Sequence, residues 1–296
     1  MRTSDDSRPH TTVQRGTTAS IRVGRRETSV SETSFFDRLR ERIRRRGTVV
    51  SVGLDADRDR LPAHLDEYDL PRWAFNRRII DATHEYAACY KPNVAFYEDA
   101  DGWLALLETI AYAHGKDVPV VLDAKRGDIG NTARQYATLL SEADAITVNP
   151  YMGRDSLDPF LSQSEKGVFV LCRTSNPGGS DLQDLTLESG EPLYERVAAL
   201  AQLWNDNDNV GLVVGATAPD ELESIRAQVP FLVPGVGAQG GDAEAAVEYG
   251  LADGVGLVNS SRGIIFAGED AGEQFHHAAG QAARRLRDRL ERHRES

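Results

Sequence analysis

The sequence predicts an α/β protein: a (β/α)8 (TIM) barrel over residues 34–296, with an extra N-terminal helix and a disordered N-terminal tail over residues 1–33. Three observations point there. Eight short apolar runs alternate with helical patterns from Ser34 to the end, and repeated βα units imply parallel strands. Eight such units in about 260 residues suit a closed eight-stranded barrel. Unusual charged and hydroxyl residues fall just after the runs, where such a barrel builds its active site. A doubly wound open sheet is the competing architecture.

Residues 1–33 are rich in Ser, Thr and Arg and almost free of apolar periodicity, so disorder is expected there. Phe35, Phe36, Leu39 and Ile43 recur at helical spacing and mark the first helix. The expected strands are Thr48–Leu54, Ala88–Val94, Val118–Asp123, Ala145–Asn149, Gly167–Cys172, Val210–Gly215, Phe231–Pro234 and Gly254–Asn259. Helical patterns between them include Pro71–Tyr86, Trp103–His114, Asn131–Ser141, Leu193–Asn205, Pro219–Gln228 and Asp242–Tyr249, and Ala271–Arg292 closes the chain. Thr174–Pro192 breaks the rhythm. A loop that long in a compact domain is usually functional or disordered.

Composition narrows the function. Net charge is −12; residues 1–34 carry six Arg against four Asp and Glu, so that segment is +2 and the remainder −14. Nucleic-acid binding needs a basic face, which this body lacks. Strong preference for Arg over Lys on an acidic chain also fits adaptation to high salt. No apolar run approaches the roughly 20 residues that cross a bilayer, and no secretory h-region opens the chain; a cytoplasmic protein is expected. Cys89 and Cys172 sit in apolar stretches and suit core positions better than a bridge. No Cys/His spacing resembles a zinc site, and no histidine falls inside a motif used here.

The chain has 34 Lys and Arg, of which four are lysine: Lys91, Lys116, Lys125 and Lys166. Arg cannot readily release a proton, whereas Lys can once its neighbours tune it. Lys125 lies in Leu-Asp-Ala-Lys-Arg-Gly-Asp-Ile, residues 122–129, and Lys91 in Tyr90-Lys91-Pro92-Asn93. Asp123 and Lys125 are two apart, so on an extended strand they point to one side. Asp128 and Thr132, four apart at the start of a helix, share a face. A salt-bridged strand end is the plain alternative. Lys91 on the neighbouring strand argues against it, because converging charges are costly to desolvate without a task. Asp55 ends the first run, Thr174 and Ser175 follow the fifth, Gln239 the seventh and Arg262 the eighth. Gly235–Gly241 satisfies GxGxxG, but seven units into the chain it is a poor dinucleotide fingerprint. In a barrel it suits a phosphate, to which the Arg262 guanidinium can add a fork. Simple turn formation is the other reading of these glycines.

These pieces together resemble the orotidine 5′-monophosphate decarboxylase family, in its longer bacterial and archaeal form. They are Asp55 after Val52-Gly53-Leu54, Tyr90-Lys91-Pro92-Asn93, Asp123–Thr132, Arg173–Gly178, Gly235–Gly241 and Ser261-Arg262, in order across residues 34–296. Asp-x-Lys-x-x-Asp is shared by a wider superfamily; Lys91, Thr-Ser-Asn-Pro-Gly and Gly-Val-Gly-Ala-Gln-Gly-Gly make the match specific.

The resemblance implies conversion of orotidine 5′-monophosphate to UMP, the last step of pyrimidine nucleotide synthesis, without metal or organic cofactor. It implies that Lys125 stabilises the anion at C6 and delivers the proton, and that Asp123 opposes the substrate carboxylate and holds Lys125. Lys91 and Asp128 would complete an alternating array and contact the ribose. Asp128 and Thr132 would enter the neighbouring subunit's site, which makes a homodimer. Asp55 would accept a ribose hydroxyl, Ser175 would bond the pyrimidine amide edge, with Thr174 adjacent, and Gln239, Ser261 and Arg262 would bind substrate toward the phosphate. Thr174–Pro192 would be a lid. Two other readings stay open: a metal-dependent decarboxylase or aldolase of keto-sugar phosphates, which would need a carboxylate near Lys91 and would not survive chelator, and a non-catalytic nucleotide-binding barrel.

Overall fold

Ser34 starts the fold. Its hydroxyl accepts from Asp37 N at 3.2 Å and donates to the Asp37 carboxylate, capping α1 (Phe35–Arg46). Gly47, with φ +57°, ends that helix in the left-handed conformation glycine tolerates. The computed structural model describes residues 33–215, 219–236 and 242–295. The tail expected over residues 1–33 lies, apart from Thr33, outside the described residues.

From there strand and helix alternate. β1 (Val50–Gly53) leads to α2 (Pro71–Thr83), β2 (Cys89–Lys91) to α3 (Gly102–Gly115), and β3 (Val121–Arg126) to α4 (Gly130–Ala137). β4 (Ala145–Val148) precedes α5 (Arg154–Leu161), β5 (Gly167–Arg173) precedes α6 (Leu193–Leu203), and β6 (Val210–Val214) precedes α7 (Pro219–Ser224). β7 (Phe231–Pro234), α8 (Ala243–Glu248), β8 (Leu257–Ser260), the short α9 (Arg262–Ile265) and α10 (Phe275–Arg294) complete the chain.

The eight strands are parallel, in the order β2-β1-β8-β7-β6-β5-β4-β3. The regular ladder lapses between β2 and β3. Pro92 and Pro119 flank that seam, and neither has an N–H to give. Isolated parallel bridges close it, Tyr90 to Val120 and Asn93 to Asp123, with Tyr90 N donating to Pro119 O (3.0 Å) and Asp123 N to Pro92 O (2.9 Å). The result is the expected barrel. β1, β4 and β6 are buried throughout, as parallel strands covered on both faces must be.

Helix α1 covers the N-terminal end of the strands. Phe35 and Phe36 set their rings edge-on to Phe169 of β5, with centroids 6.0 and 5.6 Å away. Gly167 makes room for this, since a Cβ there would lie 2.4 Å from the Phe35 ring. Arg42, buried in the same helix, donates to three carbonyls: His84 O (2.7 Å), Ala87 O (3.0 Å) and Asp117 O (2.5 Å). Those carbonyls precede β2 and β3, so Arg42 fastens the lower end of the lapsed seam. Burial, with Arg46 nearby, lowers its pKa to about 10. At the other side of the chain's circuit, Phe75 of α2 stacks on Phe266 and Phe275 at 5.7 and 5.0 Å, joining the last helix to the first repeat.

Element order agrees with expectation; several boundaries do not. β3 runs to Arg126 rather than stopping at Asp123. β8 begins at Leu257, not Gly254, because Asp253 (φ +48°) and Gly254 (φ +76°) make a tight turn closed by an Ala252–Val255 bridge. The last helix begins at Phe275, not Ala271. Helix α5, short and with Pro159 inside it, adds to the helices named from the sequence. Cys89 and Cys172 are free and buried, and burial pushes both thiols up to about 12. Among the described residues no helix is long and apolar enough to cross a membrane.

Replacing Arg42 with Ala leaves three buried carbonyls short of a charged donor, so stability should fall by about 3 kcal/mol. Denaturant unfolding followed by circular dichroism measures this. A loss under about 1 kcal/mol would show that the seam does not depend on the guanidinium.

Candidate active site

The chemistry gathers at the C-terminal ends of the strands. Asp123 on β3 is buried and pinned between two lysines. Its Oδ2 accepts from Lys91 Nζ of β2 at 2.7 Å, and its Oδ1 from Lys125 Nζ at 2.5 Å. Lys91 is 4% exposed, whereas the Lys125 side chain is about half exposed, at 46%. Burial alone would push Asp123 up, but Lys91 and Lys125 hold its carboxyl far below the usual carboxylate range. Burial would likewise lower Lys91, yet Asp123 and then Asp55 outweigh it and raise the ammonium. The remaining two lysines are occupied elsewhere, Lys116 with Asp81 at 2.7 Å and Lys166 with Ala143 O at 2.9 Å.

Asp123 and Lys125 do converge, but not by simple strand alternation. β3 pairs Leu122 with Ile146 and Arg126 with Val148, so it takes four steps where β4 takes two. Lys125 sits in that bulge at φ +48°, a conformation uncommon for a residue with a side chain. Thr147 of β4 faces the bulge. Its hydroxyl accepts from Lys125 N (2.9 Å) and donates to Asp123 Oδ1 (3.0 Å). Nothing in the apolar pattern of Ala145–Val148 marked Thr147 in the sequence.

Around these charges Asp55, Asn93, Ser175, Gly235, Val236, Asn259, Ser260, Ser261 and Arg262 line one cleft with Lys91 and Asp123. Asp55 follows β1, and the Tyr97 hydroxyl, donating to Leu54 O at 2.7 Å, fixes the backbone just before it. Asp55 Oδ1 is buried without a hydrogen-bond partner among the described residues. Ser261 crowds β1 so closely that a Cβ on Gly53 would lie 2.6 Å from the Ser261 Cβ. Glycine at 53 therefore lets the Ser261-Arg262 turn reach the barrel rim. Asn259, also unmarked in the sequence, accepts from Ser51 Oγ at 3.0 Å, which turns its amide NH2 away from Ser51. Gly235 adopts φ +99°, open only to glycine without strain. Gln239 and residues 237–241 of the glycine motif lie outside the described residues.

Ser175, not Thr174, reaches the cleft. Thr174 turns back to Gln183, whose amide donates to its hydroxyl at 2.8 Å. Arg173, ending β5, spreads beneath this loop to Thr174 O (2.7 Å), Glu221 (2.9 Å) and Asp184 (3.2 Å). Asp128 and Thr132 do not join the cleft within one chain. The Asp128 carboxylate accepts from Ile129 N at 2.8 Å, and Thr132 is exposed. The four charges expected to converge are thus three within one chain, with Asp55 beside Lys91 as the second carboxylate.

A closed parallel barrel that clamps a carboxylate between two amines at its mouth belongs to a class that holds fixed charge where a substrate would sit. The chain matches the family model described as orotidine 5′-phosphate decarboxylase / HUMPS over residues 29–275, and it belongs to that family. An orotidine 5′-phosphate decarboxylase of Halorubrum lacusprofundi is 72% identical over 275 residues, covering 88% of this chain and 100% of that protein. One of Haloarcula marismortui is 72% identical over 271 residues, covering 86% and 98%. Among solved structures, the OMP decarboxylase of Leishmania donovani is similar at 44% identity and a TM-score of 0.76, covering 89% of this chain and 100% of that one.

The signs of the shifts set a pH window. Asp123 is depressed, so its stabilisation is present above about pH 4, its unfolded value, and is lost as pH falls toward the folded one. Lys91 is raised, so its share holds below about pH 10 and is lost above. The stability gap between the unaltered chain and Asp123→Asn should therefore be flat from about pH 5 to 9 and shrink below about pH 4. Thermal melts across pH test this; a gap that widens in acid would contradict the assigned ion pairs.

Proposed function

We infer that this chain decarboxylates orotidine 5′-monophosphate to UMP, the closing step of pyrimidine nucleotide synthesis in the cytoplasm, with no metal or organic cofactor. The observation that carries the reading is the buried Asp123 carboxylate held by Lys91 and Lys125 beside a cleft that ends at Arg262. Loss of CO2 breaks the C6–carboxyl bond and leaves the electron pair on C6, in an orbital no adjacent carbonyl can delocalise well. Fixed charge must stabilise it. A charge pair about 4 Å apart is worth roughly 4 kcal/mol at an effective dielectric near 20. Lys125 Nζ stands against the developing carbanion and gives it a proton, and solvent then restores the ammonium. Asp123 disfavours the substrate carboxylate by like charge and keeps Lys125 in place.

The substrate then spans the cleft. The partnerless Oδ1 of Asp55 takes a ribose hydroxyl. Ser175 bonds the pyrimidine amide edge, and Arg262, with Ser261 and Gln239, holds the phosphate. Among the described residues Arg262 pairs with no carboxylate, which leaves its guanidinium for an anion. Closure of Thr174–Pro192 over the phosphate would convert remote binding energy into transition-state stabilisation. Lys91 also speaks against the metal-dependent reading, because its ammonium is bonded to Asp123 and within the influence of Asp55, where it repels a cation.

Asp128 and Thr132 complete the site of a second copy in a homodimer. Their surroundings support this: Ile129 is 59% exposed and Tyr151 of the adjacent loop 79%, an apolar rim beside a carboxylate bonded only to its neighbour's backbone among the described residues.

Lys125→Ala should lower turnover at least about a thousandfold while UMP binding stays measurable by calorimetry. Unchanged loss of substrate absorbance in that variant would refute the mechanism, and UMP binding with no turnover in the unaltered chain would favour the non-catalytic reading. Lys125→Ala and Asp128→Asn, each inactive alone, should regain about one quarter of full activity when co-expressed, since half the dimers then hold one intact shared site. No recovery in a proven mixed dimer would place both residues in one subunit's site.

A further inference from the structure

We infer that Thr147 of β4 is a positioning residue for Lys125 and Asp123, acting through its hydroxyl. The bulge in β3 removes Lys125 N–H from the ladder that β4 would otherwise offer. A buried donor without a partner is costly, and Thr147 Oγ1 supplies the acceptor at 2.9 Å. The hydroxyl's own hydrogen goes to Asp123 Oδ1 at 3.0 Å, the same oxygen that receives Lys125 Nζ at 2.5 Å. One side chain thus fixes the backbone and the carboxylate partner of the same amine. Thr147 is 1% exposed, so water does not readily replace it. Lys125 at φ +48° needs such fastening, because a strained backbone persists only where its surroundings over-determine it.

The consequence reaches the chemistry because this inference rests on Lys125 as the proton donor. When Lys125 gives up its proton, the attraction between Nζ and Asp123 weakens. The bond from its backbone to Thr147 does not, so the amine stays in register to be reprotonated. Arrangement at this level matters steeply: a displacement of about 1 Å can cost about a hundredfold in rate.

The test compares Thr147→Val, which keeps shape and loses the hydroxyl, with Thr147→Ser, which keeps the hydroxyl. Turnover of orotidine 5′-monophosphate is normalised to UMP-binding sites, so that a smaller folded fraction does not count. Thr147→Val should lose kcat by about 10–100-fold with KM within about threefold, and Thr147→Ser should stay within about threefold of the unaltered chain. If Thr147→Val does not fold, Thr147→Ala is held to the same criterion. A kcat within about twofold in the hydroxyl-free variant overturns the inference, as does an equal loss in Thr147→Ser. Absence of decarboxylation by the unaltered chain, with UMP still bound, would instead overturn the functional reading on which it rests.

Discussion

The Asp123 carboxylate held between two ammonium groups is the constraint to which the rest of the site answers. Taking these charges out of water costs several kcal/mol per ion unless each is matched. Both Asp123 oxygens are matched, one by Lys91 and the other by Lys125 and Thr147. A protein seeking only stability could fill this space with apolar side chains at no loss. Keeping the charges makes sense where a reaction needs a field already in place before the substrate arrives. The outlying groups then follow: Asp55 adds its influence to Lys91, and the Ser261-Arg262 turn comes up against β1 because Gly53 gives way.

The same ion pair also has a mechanical role. β2 and β3 meet at a seam interrupted by Pro92 and Pro119, where only isolated bridges join the strands. Lys91 and Asp123 stand on opposite sides of that seam at its upper end, and Arg42 ties its lower end from α1. Buried ion pair and buried guanidinium thus close the ring at the place where backbone pairing is weakest. The extra N-terminal helix is part of the barrel's closure, packed by Phe35 and Phe36 on Phe169 and fastened by Arg42.

The fold was legible because a parallel strand buried on both faces is a short continuous apolar run, and eight such runs alternate with helical patterns. Boundaries were less legible where turn chemistry overrode hydropathy, as at Asp253-Gly254. Helix α5 escaped because it is brief and interrupted by Pro159. In the site, Lys91, Asp123, Lys125, Asp55, Ser175 and Arg262 declared themselves as polar residues ending apolar runs. Thr147 and Asn259 did not. Thr147 lies inside an apolar run and Asn259 at the end of one, and each gains its meaning from a partner on another strand, Asp123 for one and Ser51 for the other. The left-handed Lys125 was equally hidden, since strand alternation predicted the right neighbour for a different geometric reason. Asp128 and Thr132 were marked by sequence, but within a single chain they stand apart from the cleft.

The scarcity of lysine has a practical corollary. The chain owns four ε-amines; one is sealed in the barrel, two are engaged at distant surface positions, and one, half exposed, is paired with Asp123. Isotopic labelling of lysine alone would thus yield a spectrum of four side-chain signals, with the sealed amine of Lys91 set apart from the other three by its lack of solvent access.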